Sequence, residues 1–212
     1  MIIYKDKDIA VCNKPYGVAS QQADKNNMID MLKSALGMEV YPVHRLDTTT
    51  TGLIVYALNK KSAADLSELV ASSGLTKEYY AIAHGKIEGQ GELNDLLYHD
   101  RIKNKSFVVK GERKGARAAS LSYFVKDVVN RDGEDLSLVR IRLRTGRTHQ
   151  IRVQLANIGS PLYGDGKYGA KDNGKIKLHS CYISFTHPTT KKQMEFSLAP
   201  KGDLWDEFKI TE

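Results

Sequence analysis

Leu121-Ser122-Tyr123-Phe124-Val125-Lys126-Asp127-Val128-Val129, then Asn130-Arg131-Asp132-Gly133, then Leu136-Ser137-Leu138-Val139-Arg140-Ile141-Arg142-Leu143-Arg144 is the stretch that decides the fold. Both flanks are β-branched or alternate apolar with polar residues, the two-residue period of a strand. The polar link ends in glycine, the residue that accepts positive φ without steric cost, and such a link closes an antiparallel hairpin.

The same pattern extends in both directions. Strands are expected at Thr76–His84 and Ser106–Lys110 upstream and at Leu178–Phe185 and Gln193–Leu198 downstream, the last two joined through His187-Pro188. A strand at Ile9–Asn13 is closed by the breaker-rich Lys14-Pro15-Tyr16-Gly17, and Leu53–Leu58 is an apolar run short enough for a buried strand. Helical spacing appears three times. Met28, Ile29, Met31, Leu32, Ala35 and Leu36 follow Asn27 as N-cap and precede Gly37; Ala63, Leu66, Leu69 and Val70 follow Asn59; Ile151, Leu155 and Ile158 mark a helix over Thr148–Ile158. The expectation is an α+β fold in one domain spanning residues 1–212, a largely antiparallel mixed sheet with flanking helices and loop insertions.

Composition narrows the class. The chain has 212 residues, 41% of them hydrophobic and 27% charged, which suits one core. Cys12 and Cys181 are too few and too distant for a disulfide framework or a CxxC metal site. The N-terminus lacks a signal-peptide pattern and no apolar run reaches the roughly 18 residues of a membrane span, so a cytoplasmic protein without membrane attachment is expected. Thirty-two Lys and Arg against 25 Asp and Glu give a net charge of +7, which favours a polyanionic partner.

Gly164-Asp165-Gly166-Lys167-Tyr168-Gly169 matches the dinucleotide fingerprint by letter, but it follows Ser160-Pro161 instead of a strand and leads into Ala170-Lys171-Asp172-Asn173-Gly174, a loop. It reads as a glycine-rich turn. No phosphate-binding loop, zinc-protease or serine-hydrolase motif is present. What remains is a carboxylate and a set of cations. Val43-His44-Arg45-Leu46-Asp47 precedes Thr48-Thr49-Thr50-Thr51-Gly52 and the buried strand, so Asp47 sits in a polar turn fixed by a rigid element, a setting that suits either a reactive group or a turn-capping Asp. Arg140, Arg142 and Arg144 alternate along a strand as on an ordinary solvated face; Arg147 stands in a glycine turn before a helix. Of Tyr79 and Tyr80, adjacent on a strand, one faces each side of the sheet, which suits either one ring stacked on a base or both rings in the core.

These residues carry a resemblance. His44-Arg45-Leu46-Asp47 with Thr50-Thr51-Gly52-Leu53, Lys77-Glu78-Tyr79-Tyr80-Ala81, and Thr145-Gly146-Arg147-Thr148-His149-Gln150-Ile151-Arg152 resemble, in order, the three motifs of the RluA-type RNA pseudouridine synthases. The likeness runs from Ile9-Ala10-Val11-Cys12-Asn13-Lys14-Pro15 to His187-Pro188. It implies Asp47 as catalytic carboxylate, Tyr79 as the ring stacked on the target uracil, Arg147 as the cation paired with the aspartate, and Arg45 as the residue that fills the gap left by a flipped nucleotide. RNA contacts are further expected at His44, Arg152, Arg113 and Lys114, the last two in the basic loop Lys103–Arg117, which reads either as a mobile finger over the RNA or as a solvated charged hairpin. Thr51 stands where the family has Ser, and Leu121 where it often has Thr. The implied reaction detaches uracil from C1′ and reattaches it through C5, which calls for no cofactor and no metal. A monomer acting on rRNA or tRNA is expected, without the N-terminal RNA-binding module that some members carry. A catalytically silent RNA-binding module on the same scaffold is the competing reading; it accounts for the charge but gives Asp47 no task.

Overall fold

A computed structural model describes residues 1–22 and 24–210. In chain order the elements are β1 (Ile2–Lys5), β2 (Ile9–Lys14), α1 (Met28–Leu36), β3 (Tyr41–Pro42), β4 (Thr51–Ala57), α2 (Lys60–Ala71), β5 (Thr76–His84), β6 (Gln90–Asp100), β7 (Lys105–Val109), β8 (Arg117–Arg131), β9 (Glu134–Leu143), α3 (Gln150–Asn157), β10 (Leu178–Thr186) and β11 (Gln193–Ser197). The fold is α+β with mostly antiparallel pairing, as the hairpin pattern implied. The chain forms two compact units.

The first unit comprises Met1–Lys77 and His179–Leu198. Its strands run in the order β1-β2-β4-β10, with β3 on β4 and β11 on β10. The β4/β10 pair is parallel, with Thr51 opposite His179 and Gly52 opposite Ser180. That approach requires glycine: Gly52 has φ 101°, and a Cβ there would lie 2.3 Å from the Ser180 carbonyl oxygen. Asn27 and Asn59 cap α1 and α2, each side chain accepting an amide three residues on, and Gly37 ends α1 in the left-handed region. Leu66 of α2 packs with Ile9, Val11, Leu53, Val55, Ile183 and Phe185, so the helix covers one face of the sheet.

The second unit comprises Glu78–Leu178 and the described residues from Ala199 onward, with strand order β5-β9-β8-β6-β7. The hairpin between β8 and β9 turns on Asp132 (φ 53°) and Gly133 (φ 84°), two positive φ values that match the right-handed twist of the flanking strands. Val153 of α3 packs on Leu97 and Ala119. The structure corrects the start of this helix from Thr148 to Gln150, because His149 is itself in the left-handed region and ends a turn.

Candidate active site

The carboxylate segment is built on an inverted polarity, a lysine inside a strand. Lys14 is fully buried at the end of β2. Its ammonium donates to the carbonyls of Pro15 (3.0 Å), Val18 (2.7 Å) and Thr48 (3.1 Å), and the Thr48 carbonyl also accepts the Gly17 amide at 2.9 Å. Thr48 follows Asp47, whose own carbonyl accepts the Thr50 amide at 2.9 Å to close a tight turn. Burial pulls the Lys14 ammonium down to about 8, and the Asp47 charge opposes that shift. Leu46 is a buried plug beside the aspartate, its amide and carbonyl both bonded to the Ser20 hydroxyl. The turn is thus held from beneath by a cation and by side-chain bonds, while Asp47 is half-buried and Arg45 is exposed. The sequence reading missed Lys14; a lone lysine closing Ile-Ala-Val-Cys-Asn was the available signal.

Thr51 gives its hydroxyl to His179 Nδ1 at 2.8 Å, and His179 Nε2 donates to the Leu198 carbonyl at 3.1 Å. The substitution of Thr for the family's Ser keeps this hydroxyl. His44, expected to touch RNA, is instead turned into the protein: it is buried, Nε2 accepts the Val55 amide at 3.1 Å, and burial together with the Lys77 charge lowers the ring to about 3. A neutral imidazole holding β4 offers no cation to a phosphate.

In the second unit β5 presents the two tyrosines to opposite faces. Tyr80 lies opposite Arg140 and Tyr79 opposite Ile141. Arg140 donates to Glu78 at 2.7 Å and stands 5.8 Å from the Tyr80 ring centre. Tyr79 is 5% exposed and Tyr80 4%, so both rings are buried. Arg144 forms a two-pronged pair with Glu92, and Arg142 is exposed, which agrees with a salt-bridged solvated face.

Arg147 is half-buried, and two groups hold it. Its amide donates to Gln150 Oε1 at 3.0 Å, and its Nε donates to the Ala118 carbonyl at 2.9 Å. Gln150 also accepts the Thr145 hydroxyl and donates to the Ser120 carbonyl at 3.1 Å, so one buried amide fixes the whole turn. Arg152, five residues on, is corrected from an RNA contact to a structural cation. It is 5% exposed and grips the fully buried Asp165 with two bonds of 2.6 and 2.8 Å.

Arg113 stacks its guanidinium 3.6 Å from the centre of the Tyr98 ring, and Lys114 is exposed. β7, which lies within the segment Lys103–Arg117, is tied to the Arg147 turn: the Ser106 hydroxyl donates to the Thr148 carbonyl at 2.6 Å, and its amide donates to the Tyr168 hydroxyl, 3.0 Å from His149 Nδ1. Within the glycine run 164–169, Gly166–Tyr168 form a single 3-10 turn, and a Cβ on Gly164 would meet Lys175 backbone at 2.5 Å. Asp6, Asp8 and His187 bring potential ligand atoms within 4.8 Å of one another. Yet His187 Nδ1 accepts the Thr189 and Thr190 amides, so Nε2 keeps its proton and donates to Asp6 at 2.8 Å. This is a hydrogen-bonded clasp.

The model of the RNA pseudouridylate synthase family matches residues 8–157. The chain is 34% identical over 204 residues to the uncharacterized RNA pseudouridine synthase MG209 homolog of Mycoplasma pneumoniae, covering 92% of this chain and 65% of that protein. It is 32% identical over 195 residues to the dual-specificity RNA pseudouridine synthase RluA of Vibrio vulnificus, covering 88% and 78%. The chain therefore spans about two thirds to three quarters of these relatives. In fold it resembles the solved structure of human RNA pseudouridylate synthase domain containing 1, with a TM-score of 0.81 at 24% identity over 94% of this chain and 82% of that one.

Proposed function

Because the chain belongs to the RNA pseudouridylate synthase family, on its RluA-type branch, we propose that it isomerises uridine to pseudouridine in rRNA or tRNA, acting as a cytoplasmic monomer. One observation carries this reading: the matched stretch 8–157 contains Asp47, Tyr79 and Arg147, each within its own motif. Among the described residues no helix is long and apolar enough to cross a membrane, and the charge of +7 suits an RNA partner.

The chemistry fits this inventory. Isomerisation breaks N1–C1′, turns the base and forms C5–C1′; the C5 proton leaves and N1 gains one, so nothing is oxidised and no group is lost. Such a reaction needs a carboxylate that stays ionised and a base brought out of its stack. Asp47 is proposed as the carboxylate, as nucleophile or as base toward the sugar, with Arg147 as its cationic partner and Tyr79 as the stacking ring. Lys14 supports the first role, since it adds positive charge beneath the Asp47 turn without occupying its surface. Arg45, exposed two residues before Asp47, is proposed to fill the gap left by the base, and Arg113 and Lys114 to bind the RNA backbone. Carbodiimide mapping of pseudouridines in cellular rRNA and tRNA, with and without the gene, tests the reading. It expects at least one site to vanish with the gene and return with it; an unchanged map refutes it.

A further inference from the structure

The turn between β6 and β7 carries the most exposed large apolar side chain described: Ile102 is 99% exposed. Isolated surface apolar residues are common, so exposure alone means little. Here the surroundings add to it. Asp100 Oδ1 accepts both the Ile102 and Lys103 amides at 3.0 Å, and Asn104 takes the left-handed conformation at φ 43°, so the local turn chemistry is supplied by its neighbours and does not call for an isoleucine. Lys167 clamps the far side of the turn by donating to the Asn104 carbonyl at 3.0 Å. The strand that follows is fixed to the Arg147 segment through Ser106 and Thr148. Arg101 and Lys103 flank Ile102 and are exposed, Lys105 stands 5.2 Å from the Tyr168 ring centre, and Arg113 lies on Tyr98 two residues before Asp100.

A stiff β-branched side chain, at the tip of a braced turn and between two cations, has the composition of an unstacking wedge: the cations hold phosphates while the apolar group enters a base step. We propose that Ile102 is such a wedge, inserting between stacked bases of the bound RNA and lowering the cost of extracting a uridine from that stack. The proposal rests on the reading of the chain as an RNA uridine isomerase and adds to it a residue outside the three motifs. Leucine or methionine retains apolar volume at this position; serine does not.

The test compares wild type, Ile102→Ser and Ile102→Leu on tRNA and rRNA transcripts carrying 5-tritiated uridine. Tritium release is read at saturating protein, and dimethyl sulfate reactivity is read on the same bound RNAs. Ile102→Ser is expected to lower saturated release about tenfold, with affinity held within about twofold and the melting midpoint unchanged, because part of the unstacking cost returns to the chemical step. Ile102→Leu is expected to stay near wild type. The dimethyl sulfate enhancement beside the protected site should disappear with Ser and persist with Leu. Wild-type release and an unaltered reactivity pattern in Ile102→Ser overturn the wedge. Absence of tritium release from the wild type, with the Ile102-dependent enhancement still present, overturns the isomerase reading and keeps the wedge; absence of both overturns both.

Discussion

Three titratable side chains in the first unit are held against their ordinary ionisation. Lys14 is a buried cation used to brace backbone, and burial pulls it down to about 8 against the opposing Asp47 charge. His44 and His179 are the opposite case, rings kept neutral. Burial lowers His44 to about 3 and His179 to about 4, and a proton on His44 Nε2 would also break the bond it accepts from the Val55 amide. Below about pH 6.5 the unfolded chain binds protons at both rings that the folded chain refuses until about pH 4 for His179 and about pH 3 for His44, so stability is present above 6.5 and is lost as pH falls. Two such protons give a slope of up to about 2.7 kcal/mol per pH unit. Urea denaturation at half-unit steps from pH 7 to pH 4 is expected to show that fall beginning near pH 6.5; a flat profile to pH 5 contradicts the neutral assignment of both rings. Asp6 and Asp172, whose carboxyls accept hydrogen bonds and are held low despite burial, extend the loss below the ordinary carboxylate range.

At the level of elements, the β6–β7–β8 sheet sets where the cations of the second unit stand. Arg113 is stacked on Tyr98 and Lys114 is exposed, so neutralising both is expected to weaken RNA binding while leaving saturated turnover less affected. Titrating Arg113→Gln/Lys114→Gln against tRNA and rRNA fragments at several salt concentrations should flatten the slope of log affinity against log salt by up to about 0.7–0.9 per lost phosphate contact; identical slopes return the pair to a solvated loop. Some of these elements were legible in the sequence and others were not. The α1 limits, the β8–β9 turn and the extent of β5 followed from local chemistry, because Asn27, Gly37, Asp132-Gly133 and the β-rich run act within their own segments. β6 was missed because Gly91-Glu92-Leu93-Asn94-Asp95 spreads few apolar residues over a half-exposed strand and so lacks the apolar contrast that marks strands elsewhere. Arg152 was misplaced for a different reason. Its partner Asp165 lies in a glycine turn 13 residues away, and no local pattern reports a buried pair of that kind.

Over the whole molecule, the three motifs divide between the units: Asp47 and Arg45 belong to the first, while Tyr79, Arg147, Arg113 and Lys114 belong to the second. The site was legible in the sequence at the level of motifs, since those are contiguous words. Its supports were not, because Lys14, Ser20, Gln150 and Ser106 act through bonds to distant backbone, such as Thr48, Leu46, Ser120 and Thr148. The Asp47 carboxylate is proposed to perform chemistry instead of merely shaping its turn. Its backbone carbonyl closes the turn with the Thr50 amide, and that bond is untouched by changing the side chain from carboxylate to the isosteric amide. The most direct measurement is therefore tritium release from 5-tritiated cellular RNA by wild type and Asp47→Asn, alongside RNA affinity and the melting midpoint of each. Loss of release to background, with affinity and midpoint close to wild type, is the predicted result; release at the wild-type rate by a folded Asp47→Asn protein would contradict the account.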